Sequence, residues 1–249
     1  MEQREDKMVR VGNILREAVL NSTKSIGNWQ KHLDFTAQFY KYGFLEQLLI
    51  ESQRPNATMC ATYDTWKNKL GRQVRDGANG IPLLTERNGR ISMWHVFDVS
   101  DTVGNERSIP VKAWEMKPEY RATVAERLGK GSLDGYISAR IEEILKNTAD
   151  KYINDIFQNR KDSLIDGLDR DNISLRFREI VKASAKYAVE KRCGLEPYFN
   201  AEDHKYIGDF NTRSLIIMLG KAVNGISSTV LREIEAQVKA YEKTLNKEE

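Results

Sequence analysis

The first fifty residues carry apolar positions at helical spacing. Val9, Val11, Ile14, Leu15, Ala18 and Val19 recur near a 3.6-residue period, and Asn21-Ser22-Thr23 interrupts them. A second run, from about Ile26 to Ile50, holds Trp29, Leu33, Phe35, Ala37, Phe39 and Tyr40, then Phe44, Leu45, Leu48 and Leu49, with Gly43 as a break or bend. Pro55 ends the pattern, because proline lacks an amide donor and restricts its predecessor. A short helix is predicted over 63–70, capped by Thr62, with Asp64 near its positive end and Gly71 as its stop.

The texture then changes. Gly71, Gly77 and Gly80 fall within ten residues, which is loop and hairpin chemistry. Residues 81–85 and 91–97 read as strands joined by Asn88-Gly89, the pair that favours a tight primed turn. Pro82 puts the first strand at an edge or marks its start. Residues 98–102 read as a strand exit and turn, and a further short strand is expected over 108–111. Beyond Trp114 the pattern is helical, with candidates at 132–146, 150–158, 174–191, 201–207, 212–223 and 227–246. Asp171 or Asn172 opens the third of these, and Gly194 closes it. Val230, Leu231, Ile234, Val238 and Tyr241 form a stripe on the last. The predicted class is α+β: a helical N-terminal segment with a small antiparallel sheet or hairpin, followed by a mainly helical region. The division is 1–115 and 116–249; its boundary near 112–120 is weakly marked, and one merged domain is the alternative.

Composition fits a folded chain. Of 249 residues, 40% are hydrophobic and 30% charged, with only 5 prolines. Cys60 and Cys193 cannot build a disulfide framework, which points to a reducing, cytoplasmic setting. No run approaches the roughly 20 apolar residues of a bilayer span, and the charged start lacks a signal peptide's apolar stretch. No membrane association is expected.

Motifs for chemistry are scarce. His32, His95 and His204 form no His-x-x-x-His pair, and there is no Cys-x-x-Cys, phosphate-binding P-loop, dinucleotide fingerprint or Gly-x-Ser-x-Gly elbow. Asp166, Asp169 and Asp171 lack calcium-loop spacing. Asp98 and Asp101 flank the strand exit, where a nuclease can hold a divalent cation, so a metal-dependent nuclease stands as a minor reading. No catalytic residue, metal or cofactor is assigned, and the chain is expected not to be an enzyme.

Net charge is only +3, but its distribution is uneven. Residues 54–90 hold seven basic side chains (Arg54, Lys67, Lys69, Arg72, Arg75, Arg87, Arg90) against three acidic ones (Asp64, Asp76, Glu86). Tyr63, Trp66 and Trp94 are interleaved with them. Aromatic rings stack on unpaired bases, basic groups take phosphate, and glycine turns let backbone amides approach an anion. Taken singly, Trp66 reads more readily as the buried anchor of its helix, and the glycines as turn formers.

The motif order adds to this. Phe44-Leu45-Glu46-Gln47-Leu48-Leu49-Ile50, then Gln53-Arg54-Pro55-Asn56-Ala57-Thr58, resembles the opening of the ArdC-like single-stranded-DNA-binding domain. Trp66, Gly71-Arg72, Val74, Gly77, Gly80-Ile81 and 96–102 continue the resemblance in order. The N-terminal region of large helicase and DNA-methylase-like proteins of integrative conjugative elements looks similar too, including Arg192–Pro197, Phe210-Asn211-Thr212 and 230–234. Glu46 stands where an asparagine is usual, and the helicase, methylase and His-Glu-x-x-His motifs are missing. The chain therefore reads as a standalone relative or the N-terminal part of something larger. By motif, the resemblance implies Gln47, Arg54, Trp66, Gly71, Arg72, Gly77 and Gly80 as DNA-binding positions. Charge and placement add Tyr63, Lys67, Lys69, Arg75, Arg87 and Arg90. The expected function is non-enzymatic binding of single-stranded DNA by a mobile-element protein, protecting or presenting the transferred strand. The alternative is a counter-defence inhibitor that binds a restriction or CRISPR nuclease directly. Single-stranded DNA is the expected partner, with a defence nuclease or conjugation protein as the other.

Overall fold

The computed structural model of the chain describes residues 2–248, without the side chains of residues 2–4, Arg87 and 247–248. Its helices are α1 (Glu2–Ser22), α2 (Ile26–Phe39), α3 (Phe44–Gln53), α4 (Arg121–Arg127), α5 (Leu133–Gln158), α6 (Arg170–Arg192) and α7 (Arg213–Glu248). Its strands are β1 (Cys60–Ala61), β2 (Gln73–Val74), β3 (Ile81–Arg87), β4 (Arg90–Asp98) and β5 (Thr102–Val103). The chain is α+β, and it divides into two compact units.

The first unit takes the stretch up to Ala18 together with Leu45–Ala113. A three-stranded antiparallel sheet runs β1-β4-β3, and β2 pairs with β5 separately. β3 and β4 are joined at Asn88 (φ 53°) and Gly89 (φ 72°), the two positive values that a primed turn requires. Pro82 lies on β3, an edge strand, where its missing donor breaks no ladder. Ile81, Leu83 and Val96 fill one sheet face and are buried with Leu48, Leu49, Ile50 and Trp66. The strand expected over 108–111 does not form. Pro110 has no donor, and the Ser108 hydroxyl is spent on the Gly71 carbonyl at 2.7 Å. β2 pairs with β5, with Gln73 opposite Val103 and Val74 opposite Thr102.

The second unit takes Val19–Phe44 and Trp114–Glu249. Residues 19–44, counted with the N-terminal region on sequence, thus group with the helices. α5, α6 and α7 pack on one another, and α2 packs on α6. Trp29 of α2 is fully buried, and its indole N–H donates to the Ser184 hydroxyl on α6 at 2.8 Å. The stripe expected on the last helix is real: Val230, Leu231, Ile234 and Val238 are fully buried, and Tyr241 meets the edge of Tyr120 at 5.1 Å. Gly220 makes room for the Phe44 ring, since a Cβ there would lie 2.3 Å from it.

Two breaks expected within the helical region are absent. α5 runs through Asn147-Thr148 and α7 through Asn224-Gly225. Hydroxyls that compete with the backbone elsewhere bond back one turn here: Thr148 to the Ile144 carbonyl, Ser227 to that of Val223 and Thr229 to that of Gly225. α6 begins earlier than expected because Asp169 is its cap, accepting from the Asn172 amide at 2.8 Å. Its C-terminal glycine is as expected, with Gly194 at φ 62°. Residues 201–207 wind into two 3-10 turns, Glu202–His204 and Ile207–Asp209, not one helix. α7 holds a stretch long and apolar enough to cross a membrane by length and composition, of which 56% is buried among its neighbours. Its apolar stripe is the seam of the bundle.

Candidate nucleic-acid interface

The short helix after β1 sets the geometry. Thr62 opens it as expected, its hydroxyl accepting from the Thr65 amide at 3.2 Å. From Thr65 to Lys69 the turn widens to π geometry, with the Leu70 amide donating to the Thr65 carbonyl at 3.1 Å. Trp66 points into the core. It is fully buried, and its indole N–H donates to the Phe97 carbonyl at 2.9 Å. Turning Trp66 inward leaves Tyr63, Lys67 and Lys69 outward. Tyr63 is 45% exposed, and the Lys67 ammonium sits 5.7 Å from its ring centroid. Lys69, two positions on in the same turn, is exposed as well.

Gly71 follows at φ +64°, and the chain reverses toward β2. The loop before residue 110 is pinned against this reversal. Ser108 bonds the Gly71 carbonyl, and the Ile109 amide donates to the Leu70 carbonyl at 3.0 Å. That pinning sets the segment carrying the exposed Arg107 and Ile109 against Leu70 and Gly71, at the end of the turn. Sequence reasoning missed both: they are 38 or more positions from Lys69, and no local period marks them.

Several expected contact residues hold the fold instead. Gln47 is fully buried in α3, and Trp66 is an anchor, so neither offers surface to a base. Arg54 forms two hydrogen bonds to the Asp101 carboxylate, one of them at 3.0 Å, and another to the Ser100 hydroxyl at 2.8 Å. Arg72 spends its Nε on the Thr102 hydroxyl at 2.8 Å and reaches the Thr102 carbonyl at 3.4 Å. Both guanidinium groups tie the chain to the 3-10 turn Val99–Asp101 and to β5. Gly77 turns at φ +79°. Gly80 admits the Phe97 ring, whose Cζ would lie 2.9 Å from a Cβ. Arg75 and Arg90 are exposed, after β2 and at the hairpin tip respectively. The Arg87 side chain lies outside the described residues.

The two aspartates of the nuclease reading lie in the same knot. Asp98 is 1% exposed and takes hydrogen bonds from the amides of Thr58 (2.7 Å), Met59 (3.0 Å) and Ser100 (3.0 Å) and from the Ser100 hydroxyl (2.6 Å). Burial pushes its pKa up, but the bonds from Ser100, Thr58 and Met59 outweigh that and hold it below the usual carboxylate value. Its oxygens are committed to protein donors, and those of Asp101 to Arg54. Neither is an open cation ligand. Cys60 is equally unavailable for chemistry. Burial first, then the nearby Asp98 charge, pushes its thiol up to about 12.

Comparisons with known proteins bear on this unit. Residues 13–121 match the family model of the N-terminal domain of anti-restriction factor ArdC. The crystal structure of the antirestriction ArdC protein from the R388 plasmid, in metal-free form, aligns with 78% of this chain and 85% of its own at 16% identity, with a TM-score of 0.39. A search of curated proteins finds no match. The matched stretch contains the whole of Leu45–Ala113, with its π turn, its hairpin and the Asp98 knot. Residues 13–121 of this chain are an ArdC-like N-terminal domain.

Proposed function

We propose that this chain binds unpaired DNA without turning it over, as an antirestriction factor working in the cytoplasm on transferred strands. The observation that carries this reading is the π turn, where an exposed tyrosine carries a lysine over its ring and a second exposed lysine follows two positions on. The match to the N-terminal domain of an anti-restriction factor supports it. A ring on a rigid turn can stack on a base, a contact worth about 1–3 kcal/mol. Lys67, Lys69 and Arg107 supply the phosphate contacts, with Arg75 and Arg90 as further positive points on the same unit. Arg54, Arg72, the glycines and Trp66 support these groups by holding the turn and its neighbouring loop. Basic and acidic residues nearly balance across the unit. Binding on this reading is local to the turn and weakens steeply with salt.

The test is fluorescence anisotropy of labelled 20-mer single strands and duplexes across a salt series. Preference for the single strand, with an affinity that falls as salt rises, is expected. Equal affinity for both, or none at low salt, rejects the reading.

One observation favours a protein partner as a second reading. Tyr198 is 89% exposed on a loop in which Glu196 takes φ +50°, a costly value for a residue with a side chain. An exposed tyrosine of this kind has the character of an interface anchor. Co-migration with a restriction or CRISPR nuclease on a sizing column, lost on Tyr198→Ala, is the expected result. Separate peaks reject it.

A further inference from the structure

An open groove of about 750 Å³ lies between α5 and α7, in the size range of small-molecule sites. Its apolar lining comes from Ile217 and Met218 of α7 with Tyr152 of α5. Tyr152 lies against Phe177, with ring centroids 5.9 Å apart and planes 29° from parallel, which fixes its orientation. Burial, then the nearby Asp155 charge, raises its pKa, so its hydroxyl keeps its proton and remains a donor.

Lys151 and Lys221, one from each helix, also line the groove. Both are exposed, and among the described residues neither forms an ion pair. Other basic residues of the helical unit differ: Arg140, Arg178, Lys182 and Lys186 each pair with a carboxylate. Two ammonium groups against the one carboxylate of Asp155 leave the groove net positive beside an apolar surface, which suits an anion that carries a flat, largely apolar body. Asp155 adds an acceptor for a ring amine or a sugar hydroxyl.

We infer that this groove binds a nucleoside phosphate. Lys151 and Lys221 take the phosphate, Ile217, Met218 and Tyr152 take the base, and Asp155 takes a donor from the base or sugar. A free nucleotide and one nucleotide of a strand present the same chemistry, and the groove is built for that shared part. It lies outside residues 13–121, so it is independent of the reading of Tyr63, Lys67 and Lys69.

Calorimetry on the full chain with deoxyadenosine monophosphate tests this, alongside deoxyadenosine and inorganic phosphate. Saturable binding of the nucleotide is expected, with the nucleoside and phosphate each at least about tenfold weaker. The double variant Lys151→Glu/Lys221→Glu, and separately Met218→Gln at the half-buried surface, should each weaken nucleotide binding at least about tenfold at an unchanged melting temperature. A twelve-residue deoxyadenosine strand, followed by anisotropy, identifies the source. Weakened strand binding in the same variants assigns a nucleotide within a strand, and unchanged strand binding assigns a free one. No saturable nucleotide binding, phosphate alone binding as tightly, or nucleotide binding that both variants retain overturns the inference. Failure of the π-turn site registers separately, as strand affinity indifferent to Lys67→Glu/Lys69→Glu.

Discussion

Arg54 and Asp101 form a forked ion pair across 47 residues of sequence, two guanidinium N–H groups on two carboxylate oxygens. The pair clamps the exit of α3 to the turn that leaves β4. Its position in a basic, aromatic stretch of sequence suggests a phosphate contact, but its chemistry is that of a structural clamp. Arg54→Ala is therefore expected to cost stability, about 1–3 kcal/mol, because it strips a carboxylate that is largely shielded from water. Arg54→Lys should recover little, since an ammonium cannot match the forked geometry. Urea melts read this directly. Strand affinity per folded molecule should stay within about twofold of the parent, whereas a phosphate contact would also lower the salt slope by about one.

Asp98 gives the domain an acid limit. Its folded pKa is depressed, so the native state favours the charged carboxylate. The resulting stabilisation is present above the ordinary aspartate value of about 3.9 and is lost as pH falls through the lower folded value. Asp98→Asn should lower the melting temperature at pH 7 and flatten its decline below about pH 4. A variant with the parent's acid limb would show that other carboxylates set it.

What could be read from the sequence divides by range. Asn88-Gly89, Gly71, Thr62 and the Val230–Val238 stripe were legible because each acts on neighbours within a turn or two. The roles of Arg54 and Arg72 were not. Their partners, Asp101 and Thr102, are 47 and 30 positions away, and a local charge count treats both arginines as free. The π widening at Thr65–Lys69 was also hidden, because a period of 3.6 does not register one inserted residue. Arg107 went unseen because long-range bonds, Ser108 to Gly71 and Ile109 to Leu70, bring its segment to the turn. The helical segments were found, but their ends were set by hydroxyls that bond within the helix and by the cap at Asp169, which pattern alone does not weigh.

In the helical unit a second carboxylate behaves oppositely. Glu190 of α6 is raised to about 7, first by burial and then by its hydrogen bond to Asp134, against the pull of Lys186. Asp134 is lowered by the same bond and by Lys186, so Glu190 holds the proton of the pair. A raised carboxylate makes the folded state bind more protons, so stability falls as pH rises from about 4.3 through 7 and levels off above. Glu190→Gln should flatten that decline, leaving the variant about 2–4 °C more stable at pH 8, relative to the parent, than at pH 5. Thermal melts at the two pH values are sufficient, and a constant difference between the proteins would refute the assignment.

Tyr63 and Trp66 are three positions apart and should fail in different assays. Trp66 is fully buried and hydrogen-bonded to the Phe97 carbonyl, so Trp66→Ala should cost about 3–5 kcal/mol. Its folded fraction should then bind a single strand nearly as the parent does. Tyr63 is 45% exposed and, among the described residues, has only Lys67 over its ring, so Tyr63→Ala should leave stability within about 0.5 kcal/mol. Strand affinity should fall instead by roughly 1–3 kcal/mol, the loss of one stacked base. Tyr63→Phe separates stacking from hydrogen bonding, because a ring that stacks retains affinity without its hydroxyl. Anisotropy at fixed salt, paired with denaturation of the same preparations, gives both quantities. A Tyr63→Ala variant that melts early and binds normally would return the tyrosine to the scaffold and remove the π turn from the interface.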